Sequence, residues 1–138
     1  MFEGIDREAV TDMLQQIIET LARIQWSFST VPDPDFFYAS IEGMEKLDAI
    51  GMKLLVVGEL LKKIDKKTNK LLLVQYPKID WIGFMGLRDV IAHDYYNLNP
   101  VKIFEICSNE IEPIYVAVSK IVADLVGNVK TLPEEKKQ

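Results

Sequence analysis

Apolar residues recur at steps of three and four along most of this chain, and that spacing constrains the fold more than any other feature. In the first segment they are Val10, Met13, Leu14, Ile17, Ile18, Leu21, Ile24 and Phe28. This spacing places apolar side chains on one face of an α-helix, with polar residues on much of the opposite side. We therefore predict a helix over about residues 6–29, with Asp6 as its N-cap. Pro32 and Pro34 break the helical pattern after it.

A second helix is predicted over about residues 40–64, and it contains Gly51 and Gly58, a heptad apart. Glycine inside a helix costs up to about 1 kcal/mol relative to alanine, so its presence there needs a reason. We predict that another backbone approaches the helix closely at these two positions. Tight packing inside the domain and a dimer interface would both explain that approach.

The segment after the second helix carries its own start and stop signals. Residues 66–80 predict a short helix followed by a turn at Pro77. Asp80 is the expected N-cap of a third helix, which starts at Trp81 and ends near His93.

The last helix has a start signal in Asn99 as N-cap and Pro100 at the first helical position. It is predicted to run to about residue 126 and to stop at Gly127. Pro113 lies inside this stretch and should kink the helix, because proline lacks the backbone N–H of the helical ladder.

These elements predict an all-α protein, a four- to five-helix up-down bundle. The length of 138 residues fits one domain, which we place at residues 1–128, with a disordered tail at residues 129–138. The longest apolar run, Leu71 to Val74, is too short to cross a bilayer, and the N-terminus does not resemble a signal peptide. We expect a cytoplasmic protein with no membrane partner.

The charge pattern restricts which partners the chain can bind. The net charge of −5 argues against broad, non-specific nucleic-acid binding, which depends on neutralising phosphates. An activity on RNA must therefore use a local positive site. The lysines do cluster, at Lys62, Lys63, Lys66, Lys67 and Lys70. A solvated helix end, where cations complement the helix dipole, is the simpler explanation of that cluster.

The run LRDVIAHDYYNLNP, residues 87–100, contains the most informative side chains of the chain. His93 is the only histidine, and histidine is the side chain that changes charge near neutral pH. Arg88, five residues earlier, supplies a planar cation suited to phosphate. A base beside a phosphate-binding cation is enough to cut RNA without a metal. One histidine and one cysteine do not make a zinc site, Cys107 fits an apolar stripe, and we expect no cofactor.

The segment RDVIAHDY resembles the R-x4-H-x-Y signature of HEPN-domain proteins, specifically the HepT-like ribonuclease toxins that pair with minimal nucleotidyltransferase antitoxins. Three further features fit that family: the Gly58-Glu59 pair, the lead-in from Trp81 to Leu87, and the stretch from Glu110 to Pro113. The resemblance covers about residues 6–126.

The resemblance implies a HEPN-like bundle that forms a homodimer and acts as a metal-independent endoribonuclease in a type VII-like toxin–antitoxin system. The catalytic pair of the family falls on Arg88 and His93, and its polar position after the arginine falls on Asp89. The tyrosine that receives adenylyl groups from the antitoxin falls on Tyr95; a shift of one position would make it Tyr96.

The residues themselves support part of this chemistry. His93 can take the proton of an RNA 2′-hydroxyl, and Arg88 can stabilise the charge that builds on the phosphate. Departure of the leaving group also needs an acid, which a second copy of His93 in a two-fold dimer, water or another residue could supply. Glu59 is either the residue that orients Arg88 or a surface acid, and Asp89 is a candidate supporting residue.

Geometry leaves alternatives open. Positions five apart on a helix differ by about 140° in angle and about 7.5 Å in rise, so Arg88 and His93 do not share a face. The arginine can reach round the helix, the helix can unwind near His93, or the pairing can cross a dimer. Otherwise His93 is a histidine held at a helix end by Asp94, and Arg88 forms a salt bridge to Asp89, Asp94 or Glu59.

An alternative function uses the same residues without catalysis. The chain would then be a nucleotide-binding or regulatory partner of a nucleotidyltransferase, with Tyr95 as the modified residue. The acidic net charge favours this alternative slightly, because RNA would have to approach against the overall field.

Overall fold

Six α-helices and two 3₁₀ turns make up the secondary structure of residues 6–135, the part of the chain that this computed structural model describes. The side chains of Tyr95 and of residues 128–135 lie outside that description. The helices are α1 (Arg7–Phe28), α2 (Phe36–Ala39), α3 (Ile41–Lys67), α4 (Trp81–His93), α5 (Pro100–Asn109) and α6 (Ile111–Glu135). The turns are Leu73–Gln75, before α4, and Tyr95–Asn97, after it. Residues 6–135 contain no strand, so the all-α prediction is confirmed.

The predicted helix starts are confirmed by their caps. Asp6, Asp80 and Asn99 each accept a hydrogen bond at 3.0 Å from a backbone N–H in the first turn of the helix that follows. These donors have no partner inside the helix, so each cap satisfies a group that would otherwise depend on water. Ser40 caps α3 in the same way, again at 3.0 Å.

The core forms where α1 and α3 pack together, and it continues from α1 to α6 and from α3 to α4. The predicted apolar face of α1 is buried at Val10, Met13, Leu14, Ile17, Leu21 and Ile24. Phe28 extends this face at the end of α1 and meets Phe104 of α5 edge to face, with 5.0 Å between ring centroids. Burying each such aliphatic side chain contributes about 1.5–3 kcal/mol, which is why the amphipathic helices assemble.

The predicted last helix is in fact two helices, because the chain breaks at Glu110 instead of kinking at Pro113. The new helix, α6, begins at Ile111 and places Pro113 in its first turn. N–H groups of a first turn have no partner within the helix, so proline loses nothing there. The break therefore removes the conflict that a continuous helix would have contained.

Other sequence predictions need correction. The last helix does not stop at Gly127 but continues to Glu135, and the short helix α2 lies in the stretch that was predicted to be a break. After α3, the chain forms only a 3₁₀ turn, Leu73–Gln75, where a short helix was predicted. The described residues thus contain six α-helices instead of four or five. A disordered tail over residues 129–138 stays a prediction.

Hydropathy along the helices agrees with the sequence on one further point. In residues 6–135, every helix is too short or too polar to cross a bilayer.

Candidate active site

The close contact between α3 and α4 positions Arg88. A Cβ atom added to Gly58 of α3 would lie 2.6 Å from Arg88 Cβ, closer than packed atoms allow, and in van der Waals contact with Arg88 Cα at 3.5 Å. The predicted close approach of a backbone is therefore confirmed at Gly58, whereas at Gly51 a side chain approaches instead, since an added Cβ would lie 2.5 Å from Leu98 Cδ1. Both contacts lie within one chain, so packing inside the domain accounts for the two glycines without a dimer interface.

Two carboxylates surround the Arg88 guanidinium. Glu59 Oε1 of α3 lies 2.8 Å from Arg88 Nε, in an ion pair that is not aligned as a hydrogen bond. Arg88 Nη1 donates a hydrogen bond of 2.8 Å to Asp89 Oδ1. The bond to Asp89 and the charge of Glu59 raise the pKa of Arg88. Of the salt bridges that the sequence left open as an alternative role for Arg88, those to Glu59 and Asp89 are present.

Asp89 lies between two cations. Besides its bond to Arg88, its Oδ1 atom is 3.5 Å from Nζ of Lys62 on α3. The hydrogen bond from Arg88 and the charge of Lys62 lower the pKa of Asp89, so this carboxylate stays ionised at neutral pH. Lys62 was expected from the sequence only as a member of the lysine cluster, although its position one helical turn after Glu59 could have placed it at this site.

His93 is the last residue of α4, and its side chain is exposed. It forms no hydrogen bond or ion pair with any residue that the structure describes. Asp94 does not hold it, because the Asp94 carboxylate accepts a hydrogen bond of 3.2 Å from Asn97 Nδ2 instead. The imidazole is therefore free to meet another molecule.

The helix geometry keeps Arg88 and His93 on different faces of α4. The helix does not unwind before His93, since the Asp94 N–H still bonds the Val90 carbonyl at 3.3 Å. Arg88 is also drawn to Glu59 and Asp89 and does not reach round the helix toward His93. Two of the three arrangements that the sequence left open, reaching round the helix and unwinding near His93, are thus not seen, and pairing across a dimer stays a prediction.

The two tyrosines follow directly in the 3₁₀ turn Tyr95–Asn97. Tyr96 is 97% exposed, while the side chain of Tyr95 lies outside the described residues. Modification at Tyr95 therefore stays a prediction.

Other chemistry finds little support among the described residues. No group of three or more His, Cys, Asp or Glu side chains there is placed to hold a metal ion. Cys107 is half-buried, and burial raises the pKa of its thiol to about 12, so it remains a protonated thiol in the protein. This state suits the core residue predicted from the sequence and does not suit a nucleophile.

The contact between Gly58 and Arg88 leads to a stability prediction. Gly58→Ala should lower the free energy of unfolding by about 1–3 kcal/mol, because the added methyl group overpacks the contact between α3 and α4. Gly127→Ala on α6 is the matched control, since an added Cβ there has nothing within 4 Å. That substitution should raise stability by about 0.5–1 kcal/mol through helix propensity alone. Urea unfolding of both variants measures the difference, and a stabilised Gly58→Ala protein would contradict the close contact.

Comparison with known proteins identifies the group to which this fold and this site belong. Residues 34–121, which include Glu59, Arg88, Asp89 and His93, match the family described as "Ribonuclease HepT-like". The match covers more than half of the chain, and the chain belongs to the HepT-like ribonuclease family.

Individual relatives agree with this assignment. The chain is similar to two proteins of Methanocaldococcus jannaschii, named "Putative RNase MJ1216" and "Putative RNase MJ0125". The first is 32% identical over 72 residues, which are 52% of this chain and 56% of that protein. The second is 33% identical over 70 residues, which are 51% of this chain and 57% of that protein. The chain thus spans just over half the length of these relatives, and no solved structure matches it.

Proposed function

We propose that this protein is a metal-independent endoribonuclease and the toxin of a type VII-like toxin–antitoxin pair. The observation that carries the proposal is the presence, within the span that matches the family, of an Arg88 held in place by α3 and an exposed His93 that bonds to none of the residues that the structure describes. The family description and the names of the relatives both refer to ribonucleases, which supports the reaction class.

The reaction uses the nucleophile that RNA carries. His93 takes the proton of a 2′-hydroxyl, and the 2′-oxygen then forms a bond to the adjacent phosphorus. Arg88 stabilises the negative charge on the phosphate oxygens as this bond forms. The bond from phosphorus to the 5′-oxygen breaks, and that oxygen takes a proton from an acid. The products are a 2′,3′-cyclic phosphate and a free 5′-hydroxyl.

A homodimer would supply the missing acid and bring the two functional groups together. One protomer has a single imidazole, on a different face of α4 from Arg88. The face that carries His93 also exposes apolar surface, since Ile82 is 79% and Val90 is 66% exposed, with Gly86 between them. Apolar side chains around an open glycine suit a second copy of the same helix, because backbones can approach closely there. The active site of the proposal is thus a composite of two protomers.

The proposed antitoxin is a nucleotidyltransferase that adenylylates Tyr95. Tyr95 follows His93 by two residues in the sequence, so an adenylyl group on it would add a phosphate charge and a purine within the R-x4-H-x-Y motif. Both would obstruct RNA. Incubation with the cognate nucleotidyltransferase and ATP should add AMP to the parent protein and to Tyr96→Phe, but not to Tyr95→Phe. Peptide mass mapping makes the measurement, and AMP on Tyr96 of the parent and of Tyr95→Phe, with none on Tyr96→Phe, would move the site by one residue.

One observation favours the alternative function, a non-catalytic nucleotide-binding or regulatory partner of a nucleotidyltransferase. Two carboxylates of the same protomer offset the positive charge of Arg88, so a phosphate must compete with Glu59 and Asp89 for the guanidinium. Incubating RNA with purified protein in EDTA separates the two functions. Turnover of RNA supports the nuclease, whereas binding of nucleotide without turnover supports the regulatory partner.

A further inference from the structure

An open groove of about 800 Å³ lies beside the ion pairs of Arg88. The end of α3 and the turn after it form one side, and Met85 of α4 forms the other. Four lysines line this groove: Lys62, Lys63, Lys66 and Lys70. Glu59 and Asp65 line it as well, so the groove is basic but not uniformly so. We call it the lysine groove.

The charge of the lysine groove is largely uncompensated. Residues 62–70 hold five lysines and one aspartate, in a chain whose net charge is −5. Lys62 forms an ion pair with Asp89, but Lys63, Lys66 and Lys70 form no ion pair with any residue that the structure describes. An acidic protein therefore concentrates positive charge at one place, next to its candidate active site.

Helix-end electrostatics explain only part of this cluster. The dipole effect is confined to the last turn of a helix, which here contains Lys66 and Lys67. Lys63 lies a turn earlier, and Lys70 follows the end of α3. Lys70 nevertheless lines the same groove, because the chain turns back through two residues in the left-handed region, Asn69 (φ 54°) and Lys70 (φ 62°). Backbone hydrogen bonds close this turn, from the Asn69 N–H to the Lys66 carbonyl at 3.2 Å and from the Lys70 N–H to the Asp65 carbonyl at 2.8 Å, and they keep Lys70 beside the end of α3.

The lysine groove also answers a difficulty at Arg88. Glu59 and Asp89 already offset the charge of that guanidinium, so Arg88 alone attracts a polyanion weakly. Glu59 and Lys62 belong both to the groove and to the ion pairs around Arg88, so the two sites are continuous. A phosphate chain seated on the lysines would thus arrive next to Arg88.

We propose that the lysine groove binds the backbone phosphates of single-stranded RNA beside the scissile bond. The role of the groove in cleavage rests on the proposed nuclease function, whereas RNA binding itself does not. A single strand fits better than a duplex, because attack by a 2′-hydroxyl in line with the leaving oxygen requires a nucleotide outside a regular helix. Lysines make sequence-independent phosphate contacts, so target choice would lie elsewhere.

The test measures binding with an RNA that cannot be cleaved. A single-stranded 2′-O-methyl oligoribonucleotide lacks the 2′-hydroxyl and reports binding alone. The variant carries Lys63→Gln, Lys66→Gln and Lys70→Gln, and the control carries Lys78→Gln, Lys102→Gln and Lys120→Gln, which are exposed elsewhere and remove the same charge. Each phosphate contact on a single strand contributes about 0.7 to the slope of log K against log salt, so the groove variant should lose about 2 from that slope. Its affinity at low salt should fall about tenfold or more, while the control stays near the parent.

Three results would overturn the proposal: equal binding by the groove variant and the parent, an equal loss in the control, or no binding by the parent. Loss of binding to polyglutamate but not to the oligonucleotide would also overturn it, in favour of an acidic protein segment. A parallel cleavage assay on ordinary RNA separates this proposal from the nuclease function. If His93→Ala loses cleavage but the groove variant binds the oligonucleotide as tightly as the parent, the nuclease function stands and the groove proposal fails. If binding depends on the groove lysines but the parent does not cleave RNA, the groove proposal stands and the nuclease function fails.

Discussion

His93→Ala is expected to slow RNA cleavage by about 10²- to 10⁴-fold, the usual contribution of a positioned general base. The imidazole is exposed at the end of α4 and has no bonding partner among the described residues, so its removal should leave the fold unchanged. Cleavage rates measured in EDTA with a fluorescent oligoribonucleotide test the loss of activity, and thermal unfolding tests whether the fold is unchanged.

A matched control for this substitution is Asn109→Ala. Asn109 is the exposed last residue of α5, as His93 is of α4, but it lies outside the candidate site. That variant should cleave RNA at the parental rate. Parental activity in His93→Ala would show that the imidazole is not the base, and the proposed mechanism would fail. Cleavage that disappears only in EDTA, for both parent and control, would instead indicate a metal-dependent reaction.

Mixing two inactive variants is expected to restore activity if the site is shared between protomers. Arg88→Ala alone should lower the rate by about 10²- to 10³-fold, as the loss of a group that stabilises transition-state charge does. In an exchanged mixture of Arg88→Ala and His93→Ala, about half of the dimers are heterodimers, and each has one site of two with both Arg88 and His93. The mixture should therefore recover up to about a quarter of the parental rate, and less than that if the second His93 is the acid that protonates the leaving group.

The geometry of α4 is the reason for this expectation. Arg88 pairs with Glu59 and Asp89 on one face, whereas His93 lies about 140° further round the helix. Differently tagged protomers verify that subunits exchange. A verified heterodimer with no activity would contradict a site made from Arg88 of one protomer and His93 of the other. The Arg23→Ala variant, which removes an exposed arginine of α1, controls for loss of charge and should keep full activity.

Much of this protein could be predicted from local sequence. The helix starts at Asp6, Asp80 and Asn99 were correct, because a cap is satisfied by donors only a few residues away. The apolar face of α1 was correct for a similar reason, since periodicity depends on one helix alone. The close approach at Gly58 was also visible, because a glycine that weakens a helix must be needed for packing.

Local reasoning failed where two effects competed. Pro113 was predicted to kink a continuous last helix, but the chain instead breaks at Glu110 and begins a new helix. The stop expected at Gly127 was wrong, because a single glycine weakens a helix by only about 1 kcal/mol and the helix continues past it.

The sequence by itself determined that the chain is helical, where most helices begin, and which residues carry the R-x4-H-x-Y motif. Only the tertiary structure decided the surroundings of that motif: the carboxylates that hold Arg88, the exposure of His93, and the lysines gathered beside them. Helix formation depends on bonds and spacings within a few residues. The charge environment of Arg88 depends on how α3 packs against α4, and such contacts between distant segments cannot be read from local pattern.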